Sequence, residues 1–435
     1  MERETACIAR LLPSSGYRHL SARPRCLFIT PIHPARRGLG LAMRMGSICE
    51  ALAPRTDLSV LIVPVAGTVP TAGEQLPEAL GAQVHEIALP EVPETAYAMA
   101  MSLADDEIRL QTFHAYGKPS IAAWITPSVR EAVQAQITAM EPDLLVIGRS
   151  YLAGLAWLAP KGTRIVLDAD EDDETVFAAI ARLARNPGTA LWARAEGAAC
   201  SRLLRHAAPR LSGIVAASDH DAAILRGRIP EVPVSVVTNA VPDVARWSPP
   251  QRAQPLRNLL FVGALAHEPN IDAALWLIRN ILPCIRGYVP GVRLTIAGAR
   301  PDARLRAFQG RPGISIVADP YEVASLYARA SVVVAPLRAG GGTKLKIIEA
   351  IAHGVPIVAT SKAVQGISPP AGFVRVANDT ATFAKACASV LSRPDAKRNV
   401  VGRKWVMLHY DRQRIATRMA RVLLRFHDSP GTRKF

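Results

Sequence analysis

Three consecutive glycines, Gly340, Gly341 and Gly342, are followed by Thr343, Lys344 and, a little further on, Glu349. Glycines let a backbone turn sharply and approach a ligand closely. A helix that opens after such a turn aims its unpaired N–H groups and the positive end of its dipole at it, which suits a phosphate. The pattern predicts a helix over Thr343 to His353, with Thr343 as its cap. Lys344 then stands in the first turn, where a cation is unfavourable unless an anion is bound nearby. Glu349 shares this helix with Ile347, Ile348 and Ile351, and a carboxylate in such company needs a partner. A second chemically suggestive group is the acidic run Asp170, Glu171, Asp172 and Asp173. It lacks the fixed spacing of a calcium loop. It suits either the capping of a following helix or electrostatic work at a reacting centre.

The elements that hold these residues alternate between apolar runs and helical periodicity. Runs at 26–30, 58–65, 84–90, 143–148, 163–170, 213–218 and 234–241 predict strands in the first half. The first leads through Gly38 and Gly40 into a helix with Leu41, Met45, Ile48 and Leu52 at helical spacing. Residues 242–257 hold four prolines and no periodicity, which marks a linker. The alternation restarts with strands at 258–263, 292–298, 313–318, 332–335, 357–360 and 372–378, and a helix at 270–286. Residues 396–428 read as helical. Two such halves predict two Rossmann-like, doubly wound α/β domains facing a cleft, with ligands at the carboxyl ends of the strands. The expected organisation is an N-terminal extension (1–24), a first domain (25–241), the linker, a second domain (258–395) and tail helices (396–435) that cross back to the first.

Composition narrows the function classes. Apolar residues make up 49% and charged residues 20% of the 435, as in a soluble globular protein. No apolar run approaches the roughly 20 residues that span a bilayer. Six scattered cysteines without a C-x-x-C pair suggest reduced packing residues of a cytoplasmic protein. The net charge of +16 is concentrated at the ends: residues 1–44 carry eight Arg against two Glu, and residues 396–435 carry eleven Lys or Arg against two Asp. Two basic ends suit the anionic inner face of a membrane, although the Arg bias also fits genome composition. Nucleic acid is not expected, because no array of stacking aromatics accompanies the charge.

With the motifs in order, the second half resembles the group-1 retaining glycosyltransferases (family 4), which have the GT-B fold. The resemblance rests on FVGALAHEPNIDAALWLIRNILPCIRGYVPGVRLTIAG, on VADPYEVASLYARASVVVAPL and on GGGTKLKIIEAIAHGVPIVAT. It covers residues 258–368 well and the first half loosely. It implies that Glu349 is the second glutamate of an E-x7-E motif and hydrogen-bonds the donor ribose. Pairing with Lys346 is the structural alternative. The first glutamate of the motif, which helps hold the donor sugar, would fall at Gly341. The N–H groups of Gly342, Thr343 and Lys344 are expected at the pyrophosphate, with Gly263 near it. His267, Glu268 and Asn270 stand where the family often carries an Arg and a Lys, so neutralisation would fall to Lys344 or Arg338. Arg300 is expected at the cleft, with a surface arginine as the alternative, and Asp319 to Glu322 at the base. Gly38 and Gly40 resemble the loop that closes over donor phosphate and acceptor; a plain strand-to-helix turn is the alternative. Asp170 stands where many members carry a His that contacts the transferring sugar. An acid there would stabilise an oxocarbenium-like state.

The resemblance thus implies transfer of a hexosyl group from a UDP- or GDP-sugar, with no metal, to a glycan, lipid-linked or small-molecule acceptor. The alternatives are a nucleotide-sugar epimerase of the same fold and an inactive binding subunit of a glycan-assembly complex.

Overall fold

The computed structural model describes residues 23–67, 75–184, 186–241, 257–320, 322–392 and 399–428. The expected extension, up to residue 22, and the linker, over 242–256, lie outside the described residues. Thirteen strands form among the described residues, each where an apolar run predicts one. Seven of them, β1 (Arg25–Thr30), β2 (Asp57–Ile62), β3 (Gln83–Glu86), β4 (Leu144–Gly148), β5 (Arg164–Asp170), β6 (Gly213–Ala216) and β7 (Val234–Val236), make a sheet in the order β3-β2-β1-β4-β5-β6-β7. The other six, β8 (Asn258–Val262), β9 (Arg293–Gly298), β10 (Ile314–Ala318), β11 (Val332–Ala335), β12 (Ile357–Ala359) and β13 (Val374–Val376), make a second sheet in the order β10-β9-β8-β11-β12-β13. Every pairing is parallel. Parallel sheets are covered on both faces, which is why inner strands such as β1, β4 and β11 read as unbroken apolar runs, whereas the edge strands β3, β10 and β13 are more exposed. Each sheet reverses its winding once, between β1 and β4 and between β8 and β11, and such switch points open a crevice at the carboxyl ends of the strands.

The helix Arg412–Asp428 packs on the first sheet, against the helix Gly40–Leu52. Its Ile415, Met419, Leu423 and Phe426 are buried in one core with Phe28, Met45 and Ile48. Arg412 pairs with Glu50 and donates to the Arg36 carbonyl at 3.2 Å. Gly213 in β6 makes room for the Phe426 ring, since a Cβ there would lie 2.4 Å from Phe426 Cζ.

Several local expectations change. The helix expected over 270–286 begins at Glu268 and contains a π-helical turn, Leu277–Ile281, before resuming as Leu282–Tyr288. Pro283 has no N–H to give, and a wider turn accommodates its ring. Strand β7 stops at Val236, five residues short of the expected end, because the following segment turns Asn239 into the cleft. Cys26, Cys49, Cys200 and Cys387 are buried as expected, whereas Cys284 is exposed.

Candidate active site between the two sheets

Four non-glycine residues with left-handed backbones mark the cleft: Arg149 (φ 75) after β4, Asp170 (φ 65) at the end of β5, Arg300 (φ 50) after β9 and Asp319 (φ 45) after β10. Such conformations cost about 1–3 kcal/mol each and persist where the surroundings impose them. At Asp170 the cause is a register shift in the pairing of β5 with β6, between Asp168 and Asp170. The irregularity re-aims the strand end.

A charged network backs this end of the first sheet. Arg44, on the buried face of the helix Gly40–Leu52, donates to both carboxylate oxygens of Asp168 at 2.6 and 2.7 Å. The pair is sealed from water, with side-chain exposures of 1% and 0%. Arg44 also donates to Asn239 Oδ1 at 2.7 Å, and Asn239 Nδ2 donates to Asp170 Oδ1 at 3.2 Å. Arg149 donates to Asp170 (3.3 Å), Glu171 (3.3 Å) and Asp173 (2.7 Å). Burial pushes Asp173 up to about 6, against the pull of Arg149. The capping alternative for Asp170 is excluded: Asp172 caps the following helix, accepting from Thr175 N at 2.9 Å. Asp170 is instead held at the cleft by Arg149 and Asn239.

The glycine loop of the second sheet leaves β11 at that sheet's switch point and meets this network. Gly340 (φ 110) and Gly342 (φ 62) supply its left-handed turns. The helix begins at Leu345, two residues later than expected, and Lys344 rather than Thr343 occupies the capping position. The reason is non-local: the Thr343 hydroxyl donates to Ala217 O at 3.1 Å and accepts from Asn239 N at 3.4 Å, both in the first half of the chain. Gly342 N donates to Asp221 Oδ2 at 3.2 Å. A carboxylate thus already sits on one of the N–H groups expected to meet an anion. Lys344 does not extend into solvent. Its Nζ folds back on the carbonyls of Gly341 and Gly342. Burial lowers its ammonium from the ordinary value, and Glu171 and Asp221 pull it back.

Glu349 is 8% exposed, and its partner is Tyr327, whose hydroxyl donates to it at 2.7 Å. The Lys346 alternative fails. Lys346 Nζ donates to Asn270 Oδ1 at 2.7 Å and lies 4.6 Å from the Phe261 ring centroid. Burial raises the Glu349 carboxyl and lowers the Lys346 ammonium to about 7. Asn270 also donates to Ala264 O, and its side chain fills the space that a Cβ on Gly263 would need. Gly263 itself presses on Gly298, where a Cβ would lie 1.6 Å from the Gly263 carbonyl. Lys346 therefore stands directly behind the turn after β8. Sequence reasoning treated it only as a partner for Glu349; its signal was the second Lys of T-K-L-K.

The remaining expected residues separate. Gly40 opens its helix against the start of the glycine-loop helix, where a Cβ would lie 3.6 Å from Leu345 Cδ1. Gly38 (φ 97) forms the turn before it. Arg300 reaches across the cleft, its Nη1 2.8 Å from where a Cβ on Gly67 would be, and its backbone N–H donates to Asp319 Oδ1 at 2.8 Å. Asp319 and Glu322 are exposed beyond β10. His267 is exposed at the start of its helix, yet crowding by protein lowers its imidazole from the ordinary value while Glu171 opposes the change. Arg338 pairs with Asp272 through two hydrogen bonds, at 2.5 and 3.0 Å. Arg44, Arg149, Asn239 and Asp221 were missed. The signal for Arg44 was a charge on the apolar face of a helix, opposite an Asp inside an apolar strand.

Two parallel α/β sheets with facing switch points define the GT-B class. In that fold the chain is similar to sucrose-phosphate synthase from Thermosynechococcus elongatus (TM-score 0.65, 15% identity, 92% of this chain and 98% of that one). It is also similar to HepE of Anabaena, solved with UDP and glucose (TM-score 0.60, 12% identity, 92% and 99%). A third similar structure is a UDP-forming trehalose-phosphate synthase from Burkholderia xenovorans (TM-score 0.60, 13% identity, 93% and 100%). More particularly, residues 257–393 match the family model described as Glycosyl transferases group 1. An uncharacterized 44.6 kDa protein from the cps region of Klebsiella pneumoniae is 28% identical over 138 residues, 29% of this chain. The match spans about a third (35%) of that relative's length.

Proposed function

We propose that the protein is a retaining glycosyltransferase that moves a hexosyl group from a UDP- or GDP-sugar to a hydroxyl of a glycan, a lipid-linked intermediate or a small molecule. One observation carries this reading: the glycine loop 340–344 and the buried Glu349 stand at the switch point of the second sheet, opposite Asp170 and Glu171 at the carboxyl end of β5. The second domain (258–395) takes the nucleotide and the first (25–241) takes the acceptor. The diphosphate lies over the glycine loop, the turn after Gly263 and the helix start. Lys344 and Lys346 offset its charge. Glu349 holds the ribose, and the loop from Asp319 to Glu322 lies beside the base. Asp170, oriented by Arg149 and Asn239, faces the transferring carbon and stabilises its developing positive charge. The departing phosphate accepts the proton of the acceptor hydroxyl on the same face of the sugar. The nucleotide sugar is a co-substrate, and no other cofactor is assigned. The match to a transferase domain favours transfer over epimerisation.

The same reading sets the enzyme at an anionic membrane surface. Helix Asn399–Tyr410 exposes Val400, Val401, Met407 and Leu408 around Lys404. The next helix exposes Arg414, Arg418 and Arg421. Apolar side chains beside arginines suit an interface with acidic headgroups.

A thermal-shift screen with UDP and GDP tests the donor site. One of them raises the melting temperature of the native chain. Glu349→Gln keeps an acceptor for Tyr327, so it folds, and it weakens that nucleotide about tenfold, as expected for a lost charge-assisted hydrogen bond to ribose. If neither nucleotide shifts the native chain, the donor site is refuted. An equal shift in Glu349→Gln refutes the ribose contact.

A further inference from the structure

Gly341 differs from the glycines on either side of it. Gly340 and Gly342 need left-handed backbones, whereas Gly341 is not among the residues with positive φ. What excludes a side chain at 341 is space. A Cβ there would lie 2.7 Å from Glu171 Oε2, 3.0 Å from Glu171 Cβ and 3.2 Å from Asp221 Oδ1. Glu171 cannot readily withdraw. Its Oε1 is held by Arg149, which Asp170 and Asp173 hold in turn. Its backbone N–H is tied to Ala169 O at 2.8 Å. Its Oε2 is therefore presented to the glycine loop from the opposite domain.

The geometry points to Glu171 as a sugar-specificity residue: its carboxylate occupies the place of a side chain at 341 and accepts hydrogen bonds from hydroxyls of the donor's sugar ring. This deepens the transferase reading and rests on it. A carboxylate oxygen accepts two hydrogen bonds, and a pyranose offers adjacent hydroxyl donors. Charge-assisted bonds of this kind are about twice as strong as neutral ones. The assignment divides the donor between two bodies. Loop 340–344, Lys346 and Glu349 hold the nucleotide from the second domain. Glu171 belongs to the first, so the sugar is recognised only when the two domains meet. Nucleotide affinity and sugar affinity become separable properties.

Calorimetric titration of the full chain with UDP and UDP-glucose, and with GDP and GDP-mannose, tests this on whichever pair binds the native protein. Glu171→Gln keeps shape and removes charge. It weakens the nucleotide sugar about tenfold or more. It leaves the free nucleoside diphosphate as tight or tighter, because a negative charge near phosphate has gone. The exchange variant, Glu171→Gly with Gly341→Glu, puts a carboxylate back from the other side of the same space and restores most of the sugar preference. Two results overturn the assignment: equal weakening of diphosphate and sugar nucleotide in Glu171→Gln, or an unchanged preference for the sugar nucleotide. If the native chain binds none of the four probes, the donor site itself fails, and this inference with it.

Discussion

At Lys346 a charge meets an apolar core. The side chain is buried on a phenylalanine face, anchored to Asn270, with its ammonium lowered to about 7 from 10.5. In the unfolded chain it returns to 10.5. Between these values the unfolded state holds more protons than the folded one, so this group makes stability rise with pH from about 7 and complete the rise near 10.5. Urea titrations from pH 7 to pH 10 should show the native chain gaining more than about 1 kcal/mol on Lys346→Met over that range. Parallel curves would mean that Lys346 keeps its proton in the fold. Glu349 was legible in the sequence as a carboxylate that an isoleucine-lined helix cannot leave unpaired. Its partner was not, because Tyr327 lies on another helix and nothing in its spacing marks it. The same holds for Arg44 and Asp168, which are 124 residues apart and joined only by the fold.

The glycine loop and its helix are one element, and the start of the helix was misplaced for a physical reason. Local rules assign the Thr343 hydroxyl to the helix end, and the contacts with Ala217 and Asn239 outweigh them. Inner strands such as β1, β4 and β11 were easier to read, since burial on both faces leaves a continuous apolar run that needs no knowledge of its neighbours. The helix 219–228 meets the loop through Asp221, which takes the Gly342 N–H at 3.2 Å and the Asp172 N–H at the same distance. On the proposed function, a donor phosphate at this N–H displaces the carboxylate. Asp221→Asn keeps an oxygen for Asp172 while removing the competing charge. It should tighten UDP binding by roughly threefold to tenfold in calorimetry, in line with an anion placed at a helix start. Weaker or unaltered binding would show that the Gly342 N–H does not serve the phosphate.

Over the whole molecule, doubly wound order was readable from alternation alone, but the faces the tail presents were not, because periodicity does not say which neighbour a helix chooses. The structure turns Ile415, Met419 and Leu423 inward and Arg414, Arg418 and Arg421 outward. Flotation should therefore find the full chain on vesicles rich in phosphatidylglycerol and not on phosphatidylcholine alone. Reversing the charge at Arg414, Arg418 and Arg421 together should release it. Equal recovery with both vesicles would remove the membrane from the proposal. The seat of Phe426 against Gly213 has a further consequence, for synthesis rather than catalysis. A ribosome completes every described strand of the first sheet by Val236, yet the part of one face beside Gly213, next to the helix Gly40–Leu52, stays uncovered until Phe426 emerges. At about 5–20 residues per second that interval lasts roughly ten to forty seconds. The second domain has its whole core in hand during that interval. The half translated last can thus finish folding first, and the half translated first waits, with part of one face open, for the helix that carries Phe426.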